Sequence, residues 1–481
     1  MYFESVDITS TLLSPVRLYI KGTKISRVLP QYDESFEWAY LTEKARYIYD
    51  AFQIQRLVSP LVKTYKIINS LKNEIFISTS WNKLKKFFLY YNINNQFKQT
   101  KVIKILPIIG YSCDLIFLNY LKHLFLKNGE NNFIYDENEK FNVLLNDFRF
   151  SYLNNFKNFY NIDICLLLNI TLRLENPLLN AKIRQEYLWN NTKIFQFGTK
   201  YTSAYKYSQL TNNLYMSYKI FNGQLSNLIS FCLKKKNILC ITSILNKPTI
   251  PIELLHKVKM LFNKKNINFN IYTNSTQLEQ INLFELNILN KIHSNNQCNS
   301  LITYFINTNK INTSFVSNSL INIYQSSHFN NAYNFINVFM PTTTFFETRT
   351  KLYINNLGLL RRVPKLVSFY KMDIFDDLDS SYFLTLFLPF IKIKLKFNDY
   401  NICKSLYKDL PLKSYDCIST NSMFLLKNYN SNYMFNINYY NMLYNTIYKN
   451  FYKTNNFEIL SSTMTTLTNL FLNKTSNYFN N

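Results

Sequence analysis

Asp163-Ile164-Cys165-Leu166-Leu167-Leu168, residues 177–189 and Lys193-Ile194-Phe195-Gln196-Phe197 decide how this chain is to be read. The first is a short, unbroken apolar run. Such a run suits a strand buried on both faces, as in a parallel sheet, rather than one with a wet face, where polar and apolar residues alternate. Residues 177–189 open with proline, which is tolerated in the first helical turn. They place Leu178, Leu179, Ile183 and Leu188 largely on one side of the expected helix. The third run is again strand-like. Strand, helix and strand in this order predict a βαβ unit.

The same alternation extends outward. Residues 102–109, 237–243, 268–272 and 301–306 read as further buried strands. Alternating strands and helices predict doubly wound, Rossmann-like sheets covered by helices. The start of the chain differs. Ser14-Pro15-Val16-Arg17-Leu18-Tyr19-Ile20 and Lys24-Ile25-Ser26-Arg27-Val28-Leu29-Pro30 flank Gly22, a hairpin signal. Beyond about residue 395 the chain turns rich in Asn and Tyr, with weak periodicity. The expected domains are therefore a small β-rich subdomain at 1–65, a first α/β domain at 66–225, a second with a late strand segment at 226–395, and a C-terminal extension, partly helical, at 396–481.

Bulk properties narrow the function classes. The 481 residues include 47% hydrophobic and 17% aromatic residues, enough for a sizeable core without disulfides or metals. Only 6 Gly and 11 Pro are present. The abundant residues have AT-rich codons, which points to nucleotide bias of an organellar kind. Lys plus Arg number 54 against 29 Asp plus Glu, a net charge of +25. A basic chain raises a nucleic-acid reading. Here the cations are scattered, with Lys234-Lys235-Lys236 and Arg361-Arg362 the densest runs, and a solvated face is expected instead. Residues 102–121, the best candidate for a membrane span, carry Lys104 and Asp114 and are broken by Pro107 and Gly110, so no direct membrane insertion is expected. The start of the chain shows neither a secretory pattern nor an Arg-rich amphipathic one. The expectation is a product made inside the organelle where it works.

Metal and catalytic motifs are missing. Cys113, Cys165, Cys232, Cys240, Cys298, Cys403 and Cys417 show no C-x₂-C or C-x₄-C spacing, which clustered thiolate sites need. His123, His256, His293 and His328 form no i, i+4 pair. A ligand in an open α/β sheet sits at the carboxyl ends of the strands. Phosphate cradles there use glycine, so that backbone amides can approach the anion. After Leu168 this chain reads Asn169-Ile170-Thr171, and no G-x-G-x-x-G, P-loop or G-x-S-x-G occurs. No catalytic, cofactor-binding or metal-binding residue is expected.

Arg173-Leu174-Glu175-Asn176-Pro177-Leu178-Leu179-Asn180-Ala181-Lys182-Ile183-Arg184 carries a family resemblance. It resembles the arginine–x–glutamate–x–proline–leucine–x–asparagine–alanine–x–isoleucine–arginine segment of the NuoG-type, largest iron–sulfur subunit of respiratory complex I. Three further blocks fall in the same order. The first runs from Glu4-Ser5-Val6-Asp7 through Ser26-Arg27-Val28-Leu29-Pro30 and Thr42-Glu43-Lys44-Ala45-Arg46-Tyr47-Ile48-Tyr49-Asp50 to Gln55-Arg56-Leu57. The next is Tyr324-Gln325 with His328 and residues 332–341. The last is Thr344-Phe345-Phe346-Glu347 with Tyr353-Ile354-Asn355 and Gly358. The likeness covers roughly residues 4–390.

The resemblance implies α/β domains of molybdopterin-oxidoreductase type and a structural role in the peripheral arm of NADH:ubiquinone oxidoreductase, on the matrix side of the mitochondrial inner membrane. It implies that the family's binuclear (2Fe-2S) and tetranuclear (4Fe-4S) clusters lie on a separate polypeptide, the iron–sulfur N-terminal half of a split, mitochondrially encoded subunit. That half is one expected partner. Flavin/NADH-binding and quinone-module subunits are the others, and no nucleic acid is expected. Some bacterial relatives hold a further cluster in the block matching residues 1–60, which here has no cysteine. The family usually has glycine–threonine–asparagine where Asn169-Ile170-Thr171 stands, and arginine where Leu359 stands. Both departures lead away from pterin binding. The alternatives are an active molybdopterin oxidoreductase and an organellar ribosomal protein.

Overall fold

The computed structural model describes residues 2–10, 12–22, 24–32, 39–52, 54–68, 71–88, 104–110, 134–135, 161–221, 226–243, 267–274, 301–308, 321–329, 333–342, 351–354, 360–363 and 459–479, with single positions at 113, 117, 262, 265, 311, 319, 344, 347 and 452. Cys298, Cys403, Cys417, His123, His256, His293, Gly358 and Leu359 lie outside them, as does most of 396–481.

The chain opens with three antiparallel strands, β1 (Tyr2–Val6), β2 (Pro15–Lys21) and β3 (Lys24–Pro30), and a short helix α1 (Glu43–Tyr47). Gly22, at φ +63, makes the expected turn between β2 and β3. Val16, Leu18, Ile25 and Val28 point into a core shared with Ile48, Ala51 and Phe52.

Next come β4 (Leu61–Ile68) and β5 (Leu71–Ser78), an antiparallel pair, then β6 (Lys104–Ile109) and β7 (Ile134–Tyr135). The βαβ unit follows as expected: β8 (Ile164–Leu168), helices α2 (Leu172–Glu175) and α3 (Pro177–Asn190), and β9 (Lys193–Phe197). β10 (Ser208–Thr211), α4 (Leu214–Phe221), α5 (Ser226–Leu233), β11 (Asn237–Ser243) and β12 (Asn268–Asn274) complete a five-stranded parallel sheet of order β10-β9-β8-β11-β12. β8 is central and fully buried, which is why its sequence does not alternate. Cys165 and Leu167 feed one core with Leu178, Leu179 and Ile183 of α3. Ile164, Leu166 and Leu168 feed the other with Ile220 and Cys232.

β13 (Leu301–Ile306), β14 (Ile321–Ser326) and β15 (Val338–Pro341) return to β6. The second large sheet has seven strands in the order β5-β4-β15-β14-β13-β6-β7, in which β4 alone runs antiparallel to the other six. β16 (Lys351–Ile354) pairs with β17 (Leu360–Val363), and α6 (Ser462–Phe479) is the last described element.

Two expectations change. Strand pairing crosses the expected boundaries at 65/66 and 225/226. β4 spans the first, and β8 pairs with β11 across the second. The five-stranded sheet is inserted between the two chain segments that build the seven-stranded one. The β-rich unit is not confined to 1–65 either, since Tyr353, Val363 and Leu460 complete its core. The second change concerns α3. Its buried stripe is Leu178, Leu179, Lys182, Ile183 and Glu186, while Leu188 is 61% exposed. At 3.6 residues per turn Leu188 stands about 180° around the helix from Leu179.

Candidate functional site

In each parallel sheet the chain reverses its direction of strand addition at one place, and a crevice for a ligand forms at the carboxyl end there. In the five-stranded sheet that place lies between β8 and β11. The residue after β8, Asn169, adopts φ +46. Asparagine tolerates this left-handed conformation better than other side-chain-bearing residues, so the chain turns here without the family's glycine. The amides at this edge are already engaged. Asn169 N–H donates to Phe197 O at 2.7 Å, and Gly198 N–H to Thr211 O at 2.8 Å. Thr171 N–H donates to a carboxylate oxygen of Glu175 at 2.9 Å. Leu179 N–H, in the first turn of α3, donates to Asn176 Oδ1 at 3.1 Å. That last bond is an ordinary N-cap.

These residues do not fit a pterin phosphate. An anion cradle needs amides aimed at the ligand and no like charge beside them. Here four amides are spent within the chain, and one of them faces a carboxylate. Gly198, at φ +134, leaves little space either, because a Cβ there would lie 3.3 Å from Asn169 Cα.

The seven-stranded sheet reverses between β6 and β13, and backbone closes that crevice. Gly110 N–H donates to Ile306 O at 2.8 Å. A Cβ on Gly110 would sit 2.0 Å from Asn307 O, so only glycine permits this crossing.

Further along the same edge, the loops after β14 and β15 receive the segment at 51–57. Leu57 N–H donates to Ser327 O at 3.0 Å, and Arg56 forms a bridge with His328. Arg56 Nη2 lies 2.5 Å from Glu347 Oε2, with the two side chains 1% and 4% exposed. The same oxygen accepts from Thr344 N–H at 2.7 Å and Thr344 Oγ1 at 2.8 Å. His328 Nε2 lies 3.2 Å from Ala51 O, and Nδ1 lies 2.8 Å from Ser327 Oγ. A carbonyl only accepts, so Nε2 carries the proton and Nδ1 accepts from Ser327. Burial, followed by the positive charge of Arg56, lowers the His328 pKa to about 3. The imidazole is therefore neutral at physiological pH.

Three of the four blocks singled out in the sequence thus meet at one buried polar seat: Arg56, His328, and Thr344 with Glu347. The fourth forms α2 and α3 at the other sheet. Sequence reasoning missed Asp50, whose Oδ2 accepts from Thr463 N–H at 3.2 Å and from Thr463 Oγ1 at 2.5 Å, anchoring the first turn of α6. An acidic residue 413 positions away gives no local signal. Among the described residues no group of three or more His, Cys, Asp or Glu is placed to hold a metal. Cys113, Cys165, Cys232 and Cys240 are buried thiols, and burial raises Cys232 to about 11. No helix among the described residues is long and apolar enough to cross a membrane.

One largely parallel α/β sheet inserted into the chain of another defines a class. The chain belongs to the molybdopterin oxidoreductase family, whose sequence profile matches residues 56–370. Within that class it is similar to the NADH-ubiquinone oxidoreductase 75 kDa subunits of Reclinomonas americana (26% identical over 379 residues, 74% of this chain and 52% of that protein) and Acanthamoeba castellanii (28% over 376 residues, 76% and 52%). It is also similar to the mitochondrial NADH-ubiquinone oxidoreductase 78 kDa subunit of Candida albicans (23% over 367 residues, 74% and 48%). The resemblance read from the sequence is therefore upheld. The chain spans about half the length of the curated relatives it matches.

Proposed function

We propose that this chain is a structural part of the peripheral arm of mitochondrial NADH:ubiquinone oxidoreductase, on the matrix side of the inner membrane. It scaffolds the iron–sulfur portion of the same subunit while electrons pass from NADH to quinone. It contributes packing and interface area, with no catalytic, cofactor-binding or metal-binding residue of its own. The 2Fe-2S and 4Fe-4S clusters belong to a separate iron–sulfur polypeptide, and the flavin/NADH-binding and quinone-module subunits are the other partners. Both parallel sheets are read as doubly wound, Rossmann-like domains. One is formed by 61–135 with 301–341, and the other by 161–274. A β-rich unit precedes them.

The observation that carries this reading is the use of both ligand edges by the chain itself. At one, the amides beside Asn169 are consumed internally. At the other, backbone fills the crevice at Gly110, and further along Arg56 is seated beside His328 on Glu347. Relatives named as NADH-ubiquinone oxidoreductase subunits, aligned over three quarters of the chain, support the assembly.

The test is purification of the NADH-oxidising membrane assembly from the source organism. Peptide mapping is expected to find this chain there, with the cluster-binding cysteine motifs on a different band. A single band carrying both would remove the split, and absence of the chain would overturn the proposal. Stoichiometric molybdenum on the isolated chain would restore the active-oxidoreductase reading. Tight, steeply salt-dependent RNA binding would restore the ribosomal one.

A further inference from the structure

The block Tyr324-Gln325 with His328 enters the buried seat through His328. The Tyr324 hydroxyl donates to Thr308 O at 3.1 Å, and its ring packs with Phe305, Ile108 and Phe339 on one face of the seven-stranded sheet. Gln325 is the next residue of β14, so its side chain stands on the opposite face. There the parallel ladder sets it level with Ile306 of β13 and Met340 of β15, and Ile323 lies two residues earlier along the strand. All three of these neighbours are apolar and buried, and Gln325 itself is 0% exposed.

A primary amide offers two N–H donors and an oxygen that accepts twice. Among the described residues, neither Oε1 nor Nε2 of Gln325 has a hydrogen-bond partner. The backbone groups at these strand ends are spent on one another. Gln325 O accepts from Asn307 N–H at 2.8 Å, and Ser326 O accepts from Thr342 N–H at 3.0 Å. Thr342 follows Met340 by two residues, is buried, and its Oγ1 likewise has no partner among the described residues. An amide held among apolar side chains without a partner is costly. Where the chain supplies no partner, bound water does. We propose that the carboxyl ends of β14 and β15 enclose ordered water, with the Gln325 amide as its main partner and the Thr342 hydroxyl at its margin. The ligand class follows from charge. An amide and a hydroxyl are both neutral, whereas a buried cation needs a carboxylate and a buried anion needs a cationic donor. The ion pair at this edge, Arg56 with Glu347, is already matched charge to charge. Water both donates and accepts, so it serves Oε1, Nε2 and a hydroxyl alike. The site gives Gln325 a role that packing does not: solvent held inside the frame ties the two strand ends together.

Two measurements on the full chain test this. A crystallographic map that shows ordered solvent is expected to hold a water peak about 2.7–3.2 Å from Gln325 Oε1 or Nε2. Gln325→Met keeps most of the side chain's length and bulk and removes both polar atoms. Replacing an amide that water serves loses its bonds, whereas replacing one that nothing serves relieves a cost. The Asn307 amide, bonded to Gln325 O, reads the difference by hydrogen exchange. Its exchange is expected to quicken about tenfold in Gln325→Met, the size of one net hydrogen bond. An unchanged or slower rate, no peak, or a Gln325 amide bonded to another protein atom in the map would each overturn the inference. So would a peak with the short contacts of a metal ion, or one with the extended shape of an organic molecule. The map is of the native chain, so it decides even where the variant does not fold. Both measurements use this chain alone, and neither result bears on the assembly reading above.

Discussion

Replacing Arg56 with methionine tests whether the seat at the seven-stranded sheet depends on the buried ion pair. The native Glu347 Oε2 accepts from Arg56 Nη2 and twice from Thr344. Methionine fills much of the space but leaves a carboxylate, 4% exposed, with two neutral donors. A charge-assisted bond is worth about 1.5–3 kcal/mol, and breaking one side of a buried pair costs about 3–5 kcal/mol. The loss expected for Arg56→Met is about 3 kcal/mol. Glu347→Gln takes the carboxylate away from the guanidinium instead and is expected to cost a similar amount. The double variant buries no charge, and the carbonyl of the introduced amide still accepts from Thr344. Its cost is expected to be about 1–2 kcal/mol, well below the sum of the singles.

Global unfolding is a poor readout for a chain with several sheets, because two-state behaviour fails. The Leu57 amide, bonded to Ser327 O, reports the seat directly. At about 1.4 kcal/mol per tenfold, a loss of 3 kcal/mol speeds its hydrogen exchange by about 150-fold in Arg56→Met. A change under about fivefold, or additive effects in the double variant, would refute the idea that this pair holds the segment at 51–57 in place.

Three further outcomes are expected. His328 is neutral in the fold, with its pKa lowered from 6.5 to about 3. The unfolded chain therefore takes up a proton between pH 6.5 and about 3 that the folded chain does not. Stability should fall with falling pH across that window, by up to about 1.4 kcal/mol per unit; His328→Gln should flatten the slope of Leu57 exchange against pH, and an unchanged slope would assign the acid sensitivity elsewhere. Gly110→Ala places a methyl group 2.0 Å from Asn307 O. It should cost about 3 kcal/mol, read as faster hydrogen exchange of the residue-110 amide bonded to Ile306 O, whereas native exchange there would mean that the crossing yields without strain. Asp50→Ala removes the acceptor at the start of α6 and should cost about 1 kcal/mol, seen as faster proteolysis within 459–479 with the rest of the chain intact.

The central βαβ unit was legible because burial on both faces writes an unbroken apolar run. β8 is such a run, and the Pro177 start and the left-handed Asn191 that ends α3 are local features. The hairpin at β2 and β3 was legible for a related reason: its turn is chemical information at one position. Sheet membership was not. β4 and β15 pair across about 270 residues of chain, and nothing in either strand names the other. Leu188 was misplaced because its composition suited the core, although the helical period turns it outward. The Arg56–Glu347 pair spans 291 positions. Both residues stood inside blocks that resembled the family, but their mutual contact needed coordinates. Helix α6 was hidden by Ser and Thr, which weaken helical preference. It is fixed from outside by Asp50 and by the burial of Met464 and Thr468.

The two edges are closed by different means, which bears on what could reopen them. At the edge beside β8 the chain turns at Asn169, in the left-handed conformation that glycine adopts most easily. Restoring glycine there would not restore an anion site. The Asn169 amide is committed to Phe197 O through the backbone, and replacing the side chain leaves that bond in place. The Glu175 carboxylate would still accept from Thr171 N–H and would still repel a phosphate. At the other edge the obstacle is backbone at the switch point, where Gly110 N–H donates to Ile306 O. Further along, Arg56 and Leu57 are held by an ion pair to Glu347 and a backbone bond to Ser327 O, beside a neutral His328. Each closure stabilises the fold with the groups a ligand would need.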